Sequence, residues 1–278
     1  MLLKTLKNAA KAVISPVVDA TGLYERRIRD AAGTPDGWTV VMYHRVIEDP
    51  SLDPFDLGMC VARDRFERQM RYLASQFSVI AVQEATRRIR NGEPLPARAL
   101  SITFDDGYLD NLTTALPVME RLSLPYTVFV PTGGIDAGEL LWWDRVIGVI
   151  ASSERPTLDL QDIGLSEKSE LLPLTGMARG IAVDRVLDEL WSLEYAKAVE
   201  VISRIERQLR SGKSESLAAR RLSPDQVREL HRRGVEIGAH SVHHPNLGLA
   251  SDEIARREMG ESRRYLEDLL QQPVTGFA

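Results

Sequence analysis

The chain has 278 residues, 44% hydrophobic and 27% charged, an ordinary globular make-up with room for one large barrel or two small domains, and not that of a disordered chain. Its 35 basic and 40 acidic residues leave a net charge of -5, which gives no electrostatic reason to expect nucleic acid as a partner. The single Cys60 excludes an intrachain disulfide and fits a reducing compartment, so a cytoplasmic location is expected.

In chain order, Leu2, Leu3, Leu6, Ala10, Val13 and Ile14 recur at helical spacing with Lys4, Lys7 and Lys11 between them. This predicts a basic amphipathic helix. It has no aromatic anchor, which favours packing on the protein over peripheral contact of residues 1–14 with a membrane surface. Lys11 and Pro16 interrupt the apolar run, so neither a cleaved leader nor a spanning helix is expected, and no later segment approaches a transmembrane length. The turn cluster Gly33-Thr34-Pro35-Asp36-Gly37 separates a helical extension (1–36) from a single domain (37–278).

Trp38 to Tyr43 reads as the first strand, with His44 at its end where it can reach the rim of a site. Phe66, Met70 and Leu73 mark a helix, Phe77 to Val82 a strand, and Val82 to Arg90 a helix stopped by Asn91-Gly92. Leu100 to Phe104 is a short apolar and β-branched run, read as a buried strand. A helix through Leu112, Ala115, Met119 and Leu122 follows, with Pro117 expected to kink it, and Tyr126 to Val130 is the next strand. Alternation of strand and helix predicts a parallel sheet with right-handed crossovers.

Trp142-Trp143-Asp144 follows a glycine-containing loop; its rings either stack on a ligand or anchor the next helix. Residues from about 145 to 222 are charged and helical without strand signals, too long for a simple crossover, and read as an inserted helical subdomain forming one wall of a cleft. Ser223-Pro224 has the form of an N-cap and first helical residue. The helix it opens leads to the strand-like run Gly234 to Ala239, then to a final helix through Ile254 and Leu269, and Pro273 to Ala278 starts another strand.

Chemistry concentrates at two strand ends. Asp105 and Asp106 follow the run Leu100 to Phe104, and adjacent strand residues point to opposite sides, so both can face one site only if the chain turns there; Gly107 permits that turn. Close carboxylates repel unless a cation lies between them. Three of the five histidines fall in His240-Ser241-Val242-His243-His244. The i, i+4 spacing of His240 and His244 brings two rings to one side of a helical turn, and one carboxylate with two imidazoles suits a divalent metal such as zinc with a position left open for water. The set also admits cobalt, nickel or iron.

The stretches Thr103-Phe104-Asp105-Asp106-Gly107-Tyr108 and His240-Ser241-x-x-His244-Pro245 resemble the first two signature motifs of the polysaccharide deacetylase (NodB-homology, carbohydrate esterase family 4) domain. Val41 to Val46 and Trp142-Trp143-Asp144 also look familiar from bacterial members, so the resemblance covers roughly residues 38 to 278. It implies an α/β fold, an irregular (β/α)7 barrel incomplete at the C-terminus with a helical insertion. It implies Asp105 as general base and Asp106, His240 and His244 as metal ligands, with His243 at a variable position; His44, Tyr108, Trp142 and Trp143 are expected at the substrate site. The implied activity is metal-dependent removal of N-acetyl groups from an amino-sugar glycan, acting on carbon–nitrogen but not peptide bonds. Hydrolysis of a non-sugar or cyclic amide, or glycan binding by a pseudoenzyme, are the rival readings. The family's third motif, with its oxyanion-binding N–H, and its late carboxylate and histidine general acid have no counterparts before Ala278, so a fragment of a longer protein is expected.

Overall fold

The computed structural model describes residues 37–49, 53, 55, 57–209 and 221–278; the extension expected over 1–36, including the basic helix at 1–14, lies outside them. The chain runs through β1 (Trp38–Tyr43), β2 (Arg45–Ile47), β3 (Cys60–Ala62), α1 (Arg63–Gln76), β4 (Ser78–Val79), α2 (Val82–Asn91) and β5 (Ala99–Phe104). A π-helical turn (Asn111–Ala115) leads into α3 (Leu116–Arg121), then β6 (Thr127–Val130), α4 (Trp142–Ser152), β7 (Thr157–Asp159), α5 (Leu160–Ile163) and β8 (Leu171–Pro173). The remainder is α6 (Ala178–Trp191), α7 (Tyr195–Leu209), α8 (Pro224–Arg232), β9 (Glu236–Ala239) and α9 (Asp252–Leu270).

The main sheet has the order β1-β5-β6-β9, with β4 pairing the start of β5, and every pairing is parallel. An isolated parallel bridge from Ala239 to Phe277 starts the next strand position. Among the described residues no strand pairs the outer edge of β1, so the sheet is an incomplete α/β barrel. β5 is buried at all six positions because both its faces are covered. On one face Phe104 meets Tyr43, Phe66 and Tyr126 with ring centroids 5.6, 5.8 and 5.4 Å away. On the other, Ser101 accepts a hydrogen bond from Trp38 Nε1 (3.0 Å) and donates to the Ile80 carbonyl (2.7 Å), which satisfies a buried hydroxyl.

Parallel pairing with β5 holds the strands in register so that their C-terminal ends share one rim. Phe104 is opposite Val128, and Val130 is opposite Ala239. The helix-opening signal at Ser223 is a complete capping box, with Gln226 N–H donating to Ser223 Oγ and the Gln226 side chain accepting from the Ser223 N–H.

Several local expectations change. A small parallel sheet, β2 with β3, forms where no strand is expected. The strand expected over Phe77 to Val82 reduces to Ser78–Val79, because helix α2 already starts at Val82. Instead of a kink, Pro117 sits in the first turn of α3 just after the π-turn, where its missing N–H is accommodated by the widened ladder. The segment read as strand-free holds an antiparallel hairpin, β7 with β8, whose strands of three residues are too short to display a period of two.

That segment has its own core. Val146 and Ile150 of α4, Val186 of α6 and Ile202 and Ile205 of α7 are buried against one another, separately from the barrel core around Phe104. No helix among the described residues is long and apolar enough to cross a membrane.

Phe104 is fully buried at the centre of the aromatic cluster, so Phe104→Ala removes contacts that no neighbour can replace. Urea unfolding is expected to show a loss of about 3–5 kcal/mol.

Candidate metal centre and cleft

β5 delivers the carboxylates and β9 the imidazoles. Asp105 still follows the sheet, its N–H donating to the Tyr43 carbonyl at 2.9 Å. Asp106 then enters the left-handed region (φ 73°) and Gly107 continues it (φ 59°), which swings the second carboxylate toward the rim. A Cβ at Gly107 would lie 3.2 Å from a Val130 methyl, so glycine serves both the backbone sign and the tight fit against β6.

The histidines do not lie on a helical turn. Residues 240–246 form a loop in which Ser241 (φ 59°) and His244 (φ 55°) are left-handed. Ser241 Oγ accepts from the His244 N–H at 3.0 Å and donates to the His240 carbonyl at 2.6 Å, which folds the loop back on itself. Glu258 of α9, 3% exposed, holds the outside of that loop: Oε2 accepts from the N–H groups of Val242 and His243 at 2.9 and 2.8 Å, and Oε1 faces His243 Nδ1 at 2.8 Å. His243 is thereby turned away from the other two imidazoles. Gly133 N–H donates to the Val242 carbonyl at 2.7 Å, and a Cβ at Gly133 would meet that same oxygen at 2.7 Å, an approach only glycine allows.

The result is a three-atom cluster. His240 Nε2 and His244 Nε2 are 2.9 Å apart and lie 3.6 and 3.7 Å from Asp106 Oδ1. Ligands bound tetrahedrally at 2.0–2.2 Å stand about 3.4 Å from one another, so the triangle matches a small divalent cation. Asp106 Oδ1 is buried and has no hydrogen-bond partner, a costly arrangement for a carboxylate unless a cation completes it. His240 Nδ1 faces the Ala278 carbonyl at 2.5 Å, which assigns its proton to that nitrogen and leaves Nε2 free to coordinate.

Electrostatics separate the neighbouring groups. Burial pushes the Asp105 carboxyl above its ordinary value, opposed by the imidazoles of His240 and His44, and Asp106 adds to the rise. Burial pulls His240 down, but its contact with Asp106 and the charges of Asp105 and Asp106 outweigh this and leave it raised. Burial brings His244 down to about 4. His44 Nε2 stands 3.8 Å from Asp106 Oδ2, at the rim.

A cavity of about 230 Å³ opens over the cluster, lined by His44, Asp106 and His244 on the barrel side and by Trp142, Leu187 and Trp191 on the other. Trp142 is half-buried and its Nε1 donates to the His244 carbonyl at 3.2 Å. Trp143 also reaches the cavity, yet is 6% exposed: its ring centroid lies 4.7 Å from that of His244 in an edge-on arrangement, and its Nε1 donates to Tyr108 Oη at 2.8 Å. Tyr108 is fully buried and donates to Asp144 Oδ2 at 3.1 Å, so it supports the cleft floor and does not line it. Arg45 lies over the Tyr108 ring at 5.1 Å and is itself held by Asp110 at 2.9 Å.

Trp191, Glu258 and Arg221 escape the sequence reading. Trp191 had one available signal, its being one of only four tryptophans in the chain; three of them gather at this cleft, and Trp38 stands apart. Arg221 belongs to an unremarkable charged run, but its guanidinium donates to the carbonyls of Gly133 at 2.8 Å, Glu139 at 3.3 Å and Pro131, tying the loop after β6 to the strand-end turn, where Leu222 N–H donates to the Gly107 carbonyl at 2.9 Å.

The family model described as polysaccharide deacetylase matches residues 92–158 and 185–278, more than half of the chain. Over 99 residues the chain is 26% identical to the poly-beta-1,6-N-acetyl-D-glucosamine N-deacetylase of Escherichia coli strain K12, a match covering 35% of this chain and 14% of that protein, so this chain corresponds to a small part of its relative. The Streptococcus pyogenes deacetylase PplD, solved in complex with acetate, superposes with a TM-score of 0.53 at 19% identity, covering 88% of this chain and 74% of that one, which is a likeness of fold.

Burial pushes the Asp144 carboxyl up to about 7, only partly relieved by the Tyr108 hydrogen bond. A carboxyl whose folded pKa is raised holds a proton that the unfolded chain has released, so its contribution to stability falls as pH rises from its ordinary value near 3.8 to about 7. Asp144→Asn keeps an acceptor for Tyr108 and cannot ionise. Urea melts of both proteins between those limits are expected to show a flatter decline for the variant; parallel declines would place the titration elsewhere.

Proposed function

The chain belongs to the polysaccharide deacetylase family, and from that membership and the cleft geometry we propose that it is a metal-dependent hydrolase removing N-acetyl groups from an amino-sugar polysaccharide or oligosaccharide. The observation that carries the reading is the convergence of Asp106, His240 and His244, drawn from positions more than a hundred residues apart, with the carboxylate of Asp105 spare beside them. The named activity of the Escherichia coli relative supports an acetamido sugar over a cyclic amide, and the aromatic lining of the cleft agrees with a pyranose.

Asp106 Oδ1, His240 Nε2 and His244 Nε2 would hold the cation, for which zinc is the proposed identity. When bound, it supplies Lewis-acid polarisation of an acetamide carbonyl and lowers the pKa of water. Every other contribution comes from the chain. Asp105 Oδ1 is buried with no hydrogen-bond partner, which leaves it available to accept a proton from the attacking water as general base. Attack of that water on the acetyl carbon gives a tetrahedral adduct, and the proton taken by Asp105 passes to the departing nitrogen as the carbon–nitrogen bond breaks, yielding acetate and the free amino sugar. His44, at the rim beside Asp106, is placed to meet the sugar. Burial of the Asp105 carboxyl raises its basicity toward the range a general base needs.

Asp105→Asn is expected to keep zinc binding, measured by calorimetry, while acetate release from an N-acetylglucosamine oligomer falls by about a hundredfold or more. His240→Ala is expected to lose the metal, and chelation of the unmodified protein to abolish turnover. Loss of zinc from both variants alike would overturn the division of roles between Asp105 and the cluster.

A further inference from the structure

The inserted segment contributes a side chain to the cleft that neither conserves its own core nor touches the cluster as a ligand. Trp191 ends α6, whose buried residues, Ala182, Val183, Val186 and Leu190, face the insertion core. Its indole instead leans over the cavity. It lies nearly parallel to Trp142 (centroids 6.1 Å apart, planes at 22°) and 5.6 Å from the His244 ring, yet remains 40% exposed. Covering exposed apolar ring surface is favourable in proportion to the area removed from water, and a tryptophan fixed on two sides at the mouth of a cleft offers that surface to a ligand.

The fixing is specific. Asn246 Nδ2, two residues beyond His244, donates to the Trp191 carbonyl at 3.1 Å, and Trp142, which supports the indole, also donates to the His244 carbonyl. Trp191 is therefore held at a set distance from His244 by two links to the loop that carries it. One turn earlier on α6, Leu187 and Asp188 line the same cavity, and the Asp188 side chain is exposed. An apolar ring with a carboxylate beside it matches the mixed character of a pyranose, which has a C–H face for stacking and equatorial hydroxyls that donate.

We propose that Trp191, carried by the insertion, is the specificity-determining residue of the cleft: a platform on which the pyranose ring of the substrate stacks while its acetamido group reaches Asp106, His240 and His244, with Asp188 accepting from a ring hydroxyl. This rests on the deacetylase reading and names the group that selects a sugar over other acetylated compounds. The insertion thus sets what the barrel cuts. A cavity of about 230 Å³ falls below the usual range of about 300–1,000 Å³ for drug-sized ligands, so the platform orients a single sugar unit.

The test compares the zinc-loaded protein with Trp191→Ala and Trp191→Phe on two probes, a soluble N-acetylglucosamine oligomer and para-nitrophenyl acetate, which carries an acetyl group and no sugar. The ratio of kcat/KM for the oligomer to that for the ester is expected to fall about tenfold in Trp191→Ala, chiefly through KM, and to recover largely in Trp191→Phe. An unchanged ratio in Trp191→Ala, or a fall of both activities in step with lost zinc, would reduce Trp191 to a packing residue and overturn the proposal. Fluorescence titration with the oligomer separates this from the activity itself: tryptophan quenching that Trp191→Ala abolishes, without acetate release by any form, sinks the deacetylase reading and keeps the sugar platform. If the oligomer neither quenches fluorescence nor releases acetate, both fail.

Discussion

The arrangement depends on a shared register: parallel strands that end at one rim. β5, β6 and β9 are neighbours in that order, and their pairing places Phe104, Val130 and Ala239 near a common edge. Residues after each strand are then confined to the same small volume. Asp106 and His240 are 134 positions apart in sequence, yet their ligand atoms stand 3.6 Å apart because the sheet leaves them nowhere else to go. Parallel sheets place their sites this way in general, since the connecting segments return the chain to the opposite end.

A shared rim is insufficient by itself, because strand side chains alternate and a loop after a strand has many possible paths. Backbone sign resolves this. Asp106, Gly107, Ser241 and His244 all have positive φ, three of them without glycine's freedom, so the site concentrates local strain. The strain is held by compensating hydrogen bonds: Ser241 Oγ across its own loop, Glu258 on the outer N–H groups, and Arg221 across the loop after β6. These partners are themselves buried or clamped, which makes the geometry of the cluster a property of the whole rim.

The insertion adds a second layer with different physics. Its core is independent of the barrel core, and its contribution to the cleft is mainly aromatic and apolar, with the carboxylate of Asp188 beside it, where the barrel brings Asp106, His44 and His244. Trp142, Trp143 and Trp191 pack around His244 on one side of the cluster. Burial of these groups disfavours their charged forms, which is the main cause of the depressed His244 and the raised Asp105 and Asp144.

Much of this is legible in the sequence where the signal is local. The run Leu100 to Phe104, the double aspartate with its glycine, the clustered histidines and the capping box at Ser223 each carry their meaning within a few residues, because hydrophobic patterning, turn chemistry and ligand type are short-range properties. Tertiary structure decided the rest. Helical spacing brings His240 and His244 together by the wrong geometry: a left-handed loop, not a helical turn, places their rings side by side, held by Glu258 on α9 and by the loop after β6. Tyr108, read as a substrate contact, is taken up beneath the cleft by hydrogen bonds with Asp144 and Trp143, while Trp143 still lines the cavity. Trp191 gained its place only when an inserted core set it over His244. Patterns in a sequence fix which surface of a segment is apolar and which groups can ligate; which partners meet is settled by packing among segments distant in the chain, and no local window contains that information.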